Sequence, residues 1–201
     1  MIKRNLLVIG LAVVLSACGF QLRGTGSTEI TLKELDLSAR DAYGDTVNLL
    51  RRVLQGSGVK IYTGAEYKLI LVSEPETQRT ASYSGSSRSA EYALTSTLNY
   101  ELHGFKDRLL VSDHVQVEKI YVHDGNNLIG SDQEANQIRG EMRNELVQKM
   151  VVQLQQLTPE RLQTLQQRAD DVARAEAEAL EKAQKVRDET PQQSPLEIPS
   201  K

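Results

Sequence analysis

Few side chains in this chain have the types and spacing to do chemistry. Cys18 carries the only thiol. A thiolate attacks carbon electrophiles, and alkylation by a long-chain group turns such a residue into a membrane anchor. The run Arg79-Thr80-Ala81-Ser82-Tyr83-Ser84-Gly85-Ser86-Ser87-Arg88-Ser89 sets two guanidiniums, Arg79 and Arg88, among hydroxyls and a glycine. Guanidinium forks and hydroxyl donors together bind phosphate groups, while the plainer reading of the same residues is a hairpin tip. His103, His114 and His123 are too scattered for a short metal motif, and no His-Glu-x-x-His occurs. Asp113 and His114 are neighbours, so on a strand their side chains leave from opposite faces, as a solvated surface would have them. His123-Asp124-Gly125-Asn126-Asn127 has oxygen ligands without the calcium-loop spacing and reads as turn chemistry. With no P-loop and no dinucleotide fingerprint, the expectation is a protein that is not an enzyme and holds no metal.

The setting of Cys18 says what its thiol is for. Lys3 and Arg4 form a basic start, and Leu6 to Leu15 an apolar stretch of about ten residues, the length of an export signal and too short for a membrane span. Leu15-Ser16-Ala17-Cys18 resembles the bacterial lipobox. In that motif a diacylglycerol alkylates the thiol, the signal (residues 1–17) is cut off before the cysteine, and the new amine is acylated. At about 0.8 kcal/mol per buried methylene, these chains hold a soluble domain firmly to a bilayer. The covalent diacylglycerol and the N-acyl chain on Cys18 are then the only non-protein groups expected. Gly19, and not Asp, follows, which by the sorting rule for enteric lipoproteins permits delivery to the outer membrane. With its one cysteine acylated, the chain forms no disulfide. The net charge of −3 becomes more negative when Lys3 and Arg4 leave, which excludes a general nucleic-acid binder.

The elements that must position these residues follow from periodicity. Glu29 to Leu37 reads as a strand whose apolar phase changes near Lys33-Glu34, implying a bulge. Tyr43, Val47, Leu50 and Leu54 form a helical stripe, capped from Ser38 and Asp41 or starting at Asp45, and stopped by Gly56 and Gly58. Val59–Tyr62 and Tyr67–Val72 are strand-like, the second apolar on both faces. From Tyr92 to Leu102 the even positions are mostly apolar and the odd ones mostly polar, the pattern of a long strand with one buried face. Leu109 to Val117 and then Ile120 with Val122 alternate in opposite phases, again implying a bulge. Ser131-Asp132-Gln133-Glu134 matches a capping box ahead of Ile138, Met142, Leu146, Met150 and Leu154. Thr158-Pro159 starts a further helix whose stripe of small residues predicts a projecting or loosely docked element. The tail from Thr190 is Pro, Gln and Ser rich and is expected to be disordered.

The order of elements predicts an α+β two-layer sandwich, a mixed sheet covered by two helices, plus a C-terminal helical extension. The expected organisation is a signal peptide over 1–17, an α/β domain over 18–157, an Ala-rich helical extension over 158–188 and a disordered tail over 189–201.

The lipobox followed by Gly19-Phe20-Gln21-Leu22-Arg23, the segments Thr80-Ala81-Ser82-Tyr83 and Ser89-Ala90-Glu91-Tyr92, and the Gln137-to-Leu154 helix carrying Glu141-Met142 together resemble the LptE (RlpB) family. These are outer-membrane lipoproteins of lipopolysaccharide assembly in Gram-negative bacteria. The resemblance covers roughly residues 1–157. It implies a two-helix, four-stranded domain that plugs the LptD β-barrel within its lumen, helps it assemble and binds lipopolysaccharide. Arg88 falls in the loop that carries the family's basic ligand-binding residues. A second basic position of the family falls near Gly130-Ser131, where this chain has no Lys or Arg. The alternative expectation is an outer-membrane adaptor whose helical extension reaches a periplasmic cell-wall enzyme.

Overall fold

The computed structural model describes residues 30–42, 44–83 and 89–189. The signal peptide, Cys18, Tyr43, Arg88 and the tail from Thr190 lie outside the described residues.

The spine is the long strand read from alternation, β5 (Ser89–His103). Its even positions Leu94, Ser96, Leu98, Tyr100 and Leu102 are all buried. Along one edge it pairs antiparallel with β6 (Leu109–Asp124) over almost its whole length. Its other edge is shared. β3 (Lys68–Ser73) pairs with the half ending at His103, and β4 (Glu76–Tyr83) pairs with the half beginning at Ala90. Between them Pro75, which has no N–H to give, still accepts from the Thr97 N–H at 3.1 Å. β3 and β4 therefore act as one interrupted strand. β1 (Glu34–Ala39) runs parallel to β3 on its far side, and β2 (Lys60–Ile61) adds a two-residue parallel edge to β1. The sheet has six strands, mixed as expected. The larger count comes from the break at Glu74-Pro75 and from the short β2.

One face of the sheet is covered. Helix α1 (Asp45–Gly56) buries Val47, Leu50 and Leu54, and α2 (Leu128–Gln155) buries Met142, Leu146, Val147, Met150, Val151 and Leu154. These meet Leu35, Leu37, Leu69, Leu71 and the β5 side chains in one continuous core. Arg143 of α2 donates to the Asp45 carboxylate at 2.7 Å and ties the two helices together. Helix α3 (Pro159–Glu189) follows, with its first turn capped as expected: the Arg161 N–H donates to Thr158 Oγ1 at 3.3 Å. Leu162 is buried in the core, Leu165 and Ala169 are half-buried, and every residue from Arg174 to Glu189 is exposed.

Several local expectations are corrected. β1 begins only at Glu34, so the phase change near Lys33 marks the start of pairing and not a bulge within a strand. Of the two starts the sequence offers for α1, the later one, at Asp45, is the one found, behind Gly44 at the N-cap. No bulge breaks β6 between Val117 and Ile120; the register against β5 is continuous there, and Ile120 and Val122 stand exposed on the uncovered face. The capping box at Ser131 is not used. Asn127 caps α2 one turn earlier, accepting from the Gly130 N–H at 3.1 Å, and Ser131 Oγ accepts from the Asp124 N–H at 2.8 Å. Finally, Arg79 to Tyr83 belong to β4 and not to a loop.

Candidate functional site

The sheet outgrows its core at one end, and the candidate site is built there. β5 spans about 50 Å at roughly 3.3 Å per residue, but the large core side chains gather toward its His103 half. At the other end Tyr83, Ala90 and His123 stand in one rank across β4, β5 and β6. β4 earns little burial: all eight of its residues are exposed. Backbone pairing to β5 and polar cross-strand contacts hold it.

Arg79 is the one predicted lipopolysaccharide-binding residue among the described residues. It sits opposite Ala93, with Nη2 2.9 Å from Glu118 Oε1. Glu118 Oε2 also accepts from the Thr95 hydroxyl at 3.1 Å. Both partners are well exposed. Such a pair is worth about 0–1 kcal/mol. Further along, Ser82 donates to Glu91 Oε2 at 2.7 Å. β4 thus carries Arg79 to within four residues of Tyr83, the last described residue before Arg88.

The covered side of this end has an aromatic cluster that periodicity did not reveal. Tyr92 and Tyr121 are register partners with ring centroids 5.8 Å apart, and His123 meets Tyr92 edge-on at 5.6 Å. The buried Tyr121 donates to Gln78 Oε1 at 3.3 Å. Burial pushes its phenol pKa up, partly opposed by the nearby Arg139. Arg139 in turn reaches across to Glu76 at 2.9 Å, linking α2 to β4. The usable sequence signal was the pairing of two tyrosines on facing strands, which needs the register before it can be seen.

The turn from β6 into α2 closes the site. Asp124 Oδ1 accepts from the Asn126 N–H at 2.9 Å, an Asx turn, so this segment is turn chemistry as expected. Beyond it Leu128 and Ile129 are 57% and 75% exposed, and Tyr83 is 73% exposed. Exposed apolar side chains at the same end of the sheet as the Ser82 hydroxyl, with the Arg79 guanidinium further back on β4, suit an amphiphile with an anionic head.

The remaining titratable pairs lie elsewhere. Asp113 and His114 approach to 3.6 Å on a solvated strand surface. His103 sits between Glu101 and Asp107 at the opposite end of β5, at 3.0 and 3.3 Å. Among the described residues no group of His, Cys, Asp or Glu is placed to hold a metal ion, and no helix is long and apolar enough to cross a membrane.

Comparison with known proteins agrees with this architecture. The family described as LptE, lipopolysaccharide-assembly, matches residues 32–154, which include all six strands and nearly all of α2. The LPS-assembly lipoprotein LptE of Pectobacterium atrosepticum is 34% identical over 154 residues, covering 74% of this chain and 83% of that protein. That of Yersinia pestis strain Pestoides F is 31% identical over 159 residues, covering 74% and 73%. Among solved structures, the rare lipoprotein B of Shewanella oneidensis superposes with a TM-score of 0.54 at 22% identity, covering 60% of this chain and 91% of that one. Lipoprotein B of Nitrosomonas europaea does so with 0.54 at 21%, covering 66% and 88%. Helix α3 lies beyond the matched span. With the family matched across the whole sheet and both covering helices, the chain belongs to the LptE family of lipopolysaccharide-assembly lipoproteins.

Proposed function

We propose that this lipoprotein is held to the outer membrane by the acyl chains on Cys18, plugs the LptD β-barrel and helps it assemble. Its tip meets lipopolysaccharide on the way to the outer leaflet, with Arg88, aided by Arg79, facing a lipid A phosphate or a core sugar acid. No catalytic step is needed, because the work is placement and binding. The single observation that carries this reading is the family match over the whole sheet and its two covering helices. The geometry is compatible with it. A barrel lumen is polar, and the wholly exposed β4 together with the polar odd positions of β5 offers it a polar wall. The unpacked tip keeps exposed apolar side chains for acyl chains.

Arg88→Asp tests the loop. Binding of purified lipopolysaccharide is expected to weaken at least tenfold while the barrel still co-purifies. Unchanged binding would remove Arg88 from the site.

A second reading draws on α3, which lies outside the family span and is fully exposed from Arg174 onward. In it the helix reaches to a periplasmic cell-wall enzyme. Truncation after Ala173 keeps Leu162 in the core and separates the two. A plug keeps most of its function without the exposed helix, and a reaching adaptor loses it.

A further inference from the structure

The chain enters the fold at the end opposite the tip. Ile30 and Leu32 are each 3% exposed, and Thr31 to Lys33 line one crevice with Gln166 of α3. Gln166 also bonds the backbone of Phe105, in the turn between β5 and β6. The entry, that turn and the start of α3 therefore form one surface, the base of the molecule. Residues 19–29 separate Ile30 from Cys18. Even fully extended, such a segment reaches only about 40 Å. With Cys18 acylated, the base must stay that close to a bilayer, while the tip, about 50 Å away along β5, need not.

The base carries side chains that suit a lipid surface. Phe105 and Leu109, on either side of the turn, are 58% and 49% exposed, and Val172 of α3, 57% exposed, lines a groove with Leu109. Three cations stand around them. Lys106 holds its ammonium 5.5 Å from the Phe105 ring centroid. A lysine so placed keeps its charge in water while the ring beside it enters an apolar layer. Arg108 and Arg168 line the groove. Arg108 Nε is shielded from solvent without a hydrogen bond, and its ion pair with Asp170 is long, at 3.7 Å. Arg168 has no ion pair among the described residues. Under-bonded guanidiniums are donors for phosphate.

Acids alternate with these cations: Asp107, Asp170 and Glu176. A bare polyanion would meet as much repulsion as attraction here, whereas a head group carrying both a phosphate and an ammonium can pair with both signs. The dimensions agree. A bilayer is about 40–45 Å thick including its head groups. A base seated at one surface therefore carries the tip of a strand about 50 Å long to the other, where the proposed lipopolysaccharide contact lies.

We propose that the base is a phospholipid-binding surface. Phe105 and Leu109 enter the head-group layer of the bilayer that holds Cys18, and Arg108 and Arg168 take the phosphates of zwitterionic phosphoethanolamine lipids. The inference rests on the proposed acylation of Cys18 and is independent of Arg88.

The chain has no tryptophan, so Phe105→Trp and Ile129→Trp each install a single indole, one at the base and one at the tip. Both side chains are exposed, so both variants retain the fold. Each acylated, full mature lipoprotein is reconstituted into vesicles of phosphatidylethanolamine and phosphatidylcholine, with or without brominated acyl chains. Brominated lipid should quench the base indole at least threefold more than the tip indole. Adding Arg108→Gln with Arg168→Gln should remove at least half of that quenching. Equal quenching at the two ends, none at the base, or indifference to the arginine substitutions would overturn the proposal. Flotation with the vesicles and intact mass report the anchor separately. An acylated protein that floats with its base unquenched loses the lipid seat and keeps the anchor; a protein that carries no acyl chain and stays in solution loses both.

Discussion

Gln166 of α3 grips the backbone of Phe105 from both sides: Oε1 accepts from the Phe105 N–H at 3.0 Å, and Nε2 donates to its carbonyl at 3.3 Å. The gripped segment is the tight turn between β5 and β6. There Lys106 and Asp107 both adopt left-handed backbone, with φ of 59° and 55°. Each such L-residue costs roughly 1–2 kcal/mol. His103, held between Glu101 and Asp107, braces the same turn from the strand side. The first turns of the C-terminal helix are therefore part of how the central hairpin closes.

Gln166→Ala should destabilise the protein by about 1–2 kcal/mol, the worth of two partly exposed hydrogen bonds. Urea unfolding measures this, and amide exchange at Phe105 should accelerate. Gly104→Ala should reproduce the effect, because a Cβ there would collide with Gln166 Oε1 and lie 2.7 Å from Leu110 Cδ1. Unchanged exchange at Phe105 in both variants would show that the grip is incidental.

Lys106→Asn should leave stability within about 0.5 kcal/mol of the parent, because asparagine tolerates left-handed backbone better than lysine by about 0.5–1 kcal/mol and a loss of similar size opposes this. The opposing loss is the Lys106 ammonium, 5.5 Å from the Phe105 ring centroid and worth about 0.5–1 kcal/mol at an exposed site. A lower Tm in thermal unfolding would mean that this contact outweighs the backbone strain.

Leu162 and Leu180 lie on the same helix, at 3% and 64% exposure. Leu162→Ala should cost about 2–5 kcal/mol through the cavity it leaves. Leu180→Ala should stay within about 0.5 kcal/mol. Equal effects in urea unfolding would contradict the division of α3 into a docked base and an exposed extension.

Legibility in the sequence tracked burial. β5 declared itself because Leu94, Leu98, Tyr100 and Leu102 all face the core while Thr95, Thr97, Asn99 and Glu101 do not. The stripe from Met142 to Leu154 did the same for α2. β4 was silent, because a strand with every residue exposed has no apolar phase to read, and its Arg79-to-Tyr83 half passed for a loop. Ser131 misled because a Ser-x-x-Glu pattern also fits a serine that bonds backward to Asp124 from within a helix. The candidate site was legible only as composition. The Arg79–Glu118 pair and the Tyr92–Tyr121 contact depend on strand register, which no local pattern encodes.

Alkaline stability should report Tyr100. Burial raises its phenol above the ordinary 10.0, with Asp113 adding to the shift and Arg161 opposing it. The folded state then holds the proton more tightly than the unfolded state. This contribution is complete below pH 10 and is lost as pH rises through 10 toward the folded value. Tyr100→Phe should flatten that part of the stability profile, measured by urea unfolding from pH 9 upward. An unchanged slope would assign it to other groups.

Under the proposed function, this chain works inside a barrel partner at the outer membrane. A C-terminally tagged full-length copy, extracted from outer membranes in mild detergent and affinity-purified, tests it most directly by intact mass. The expected result is a single large β-barrel at one-to-one stoichiometry and a diacylglyceryl-modified, acylated Cys18. Recovery of the lipoprotein alone, or with a cell-wall synthase in place of a barrel, would contradict it.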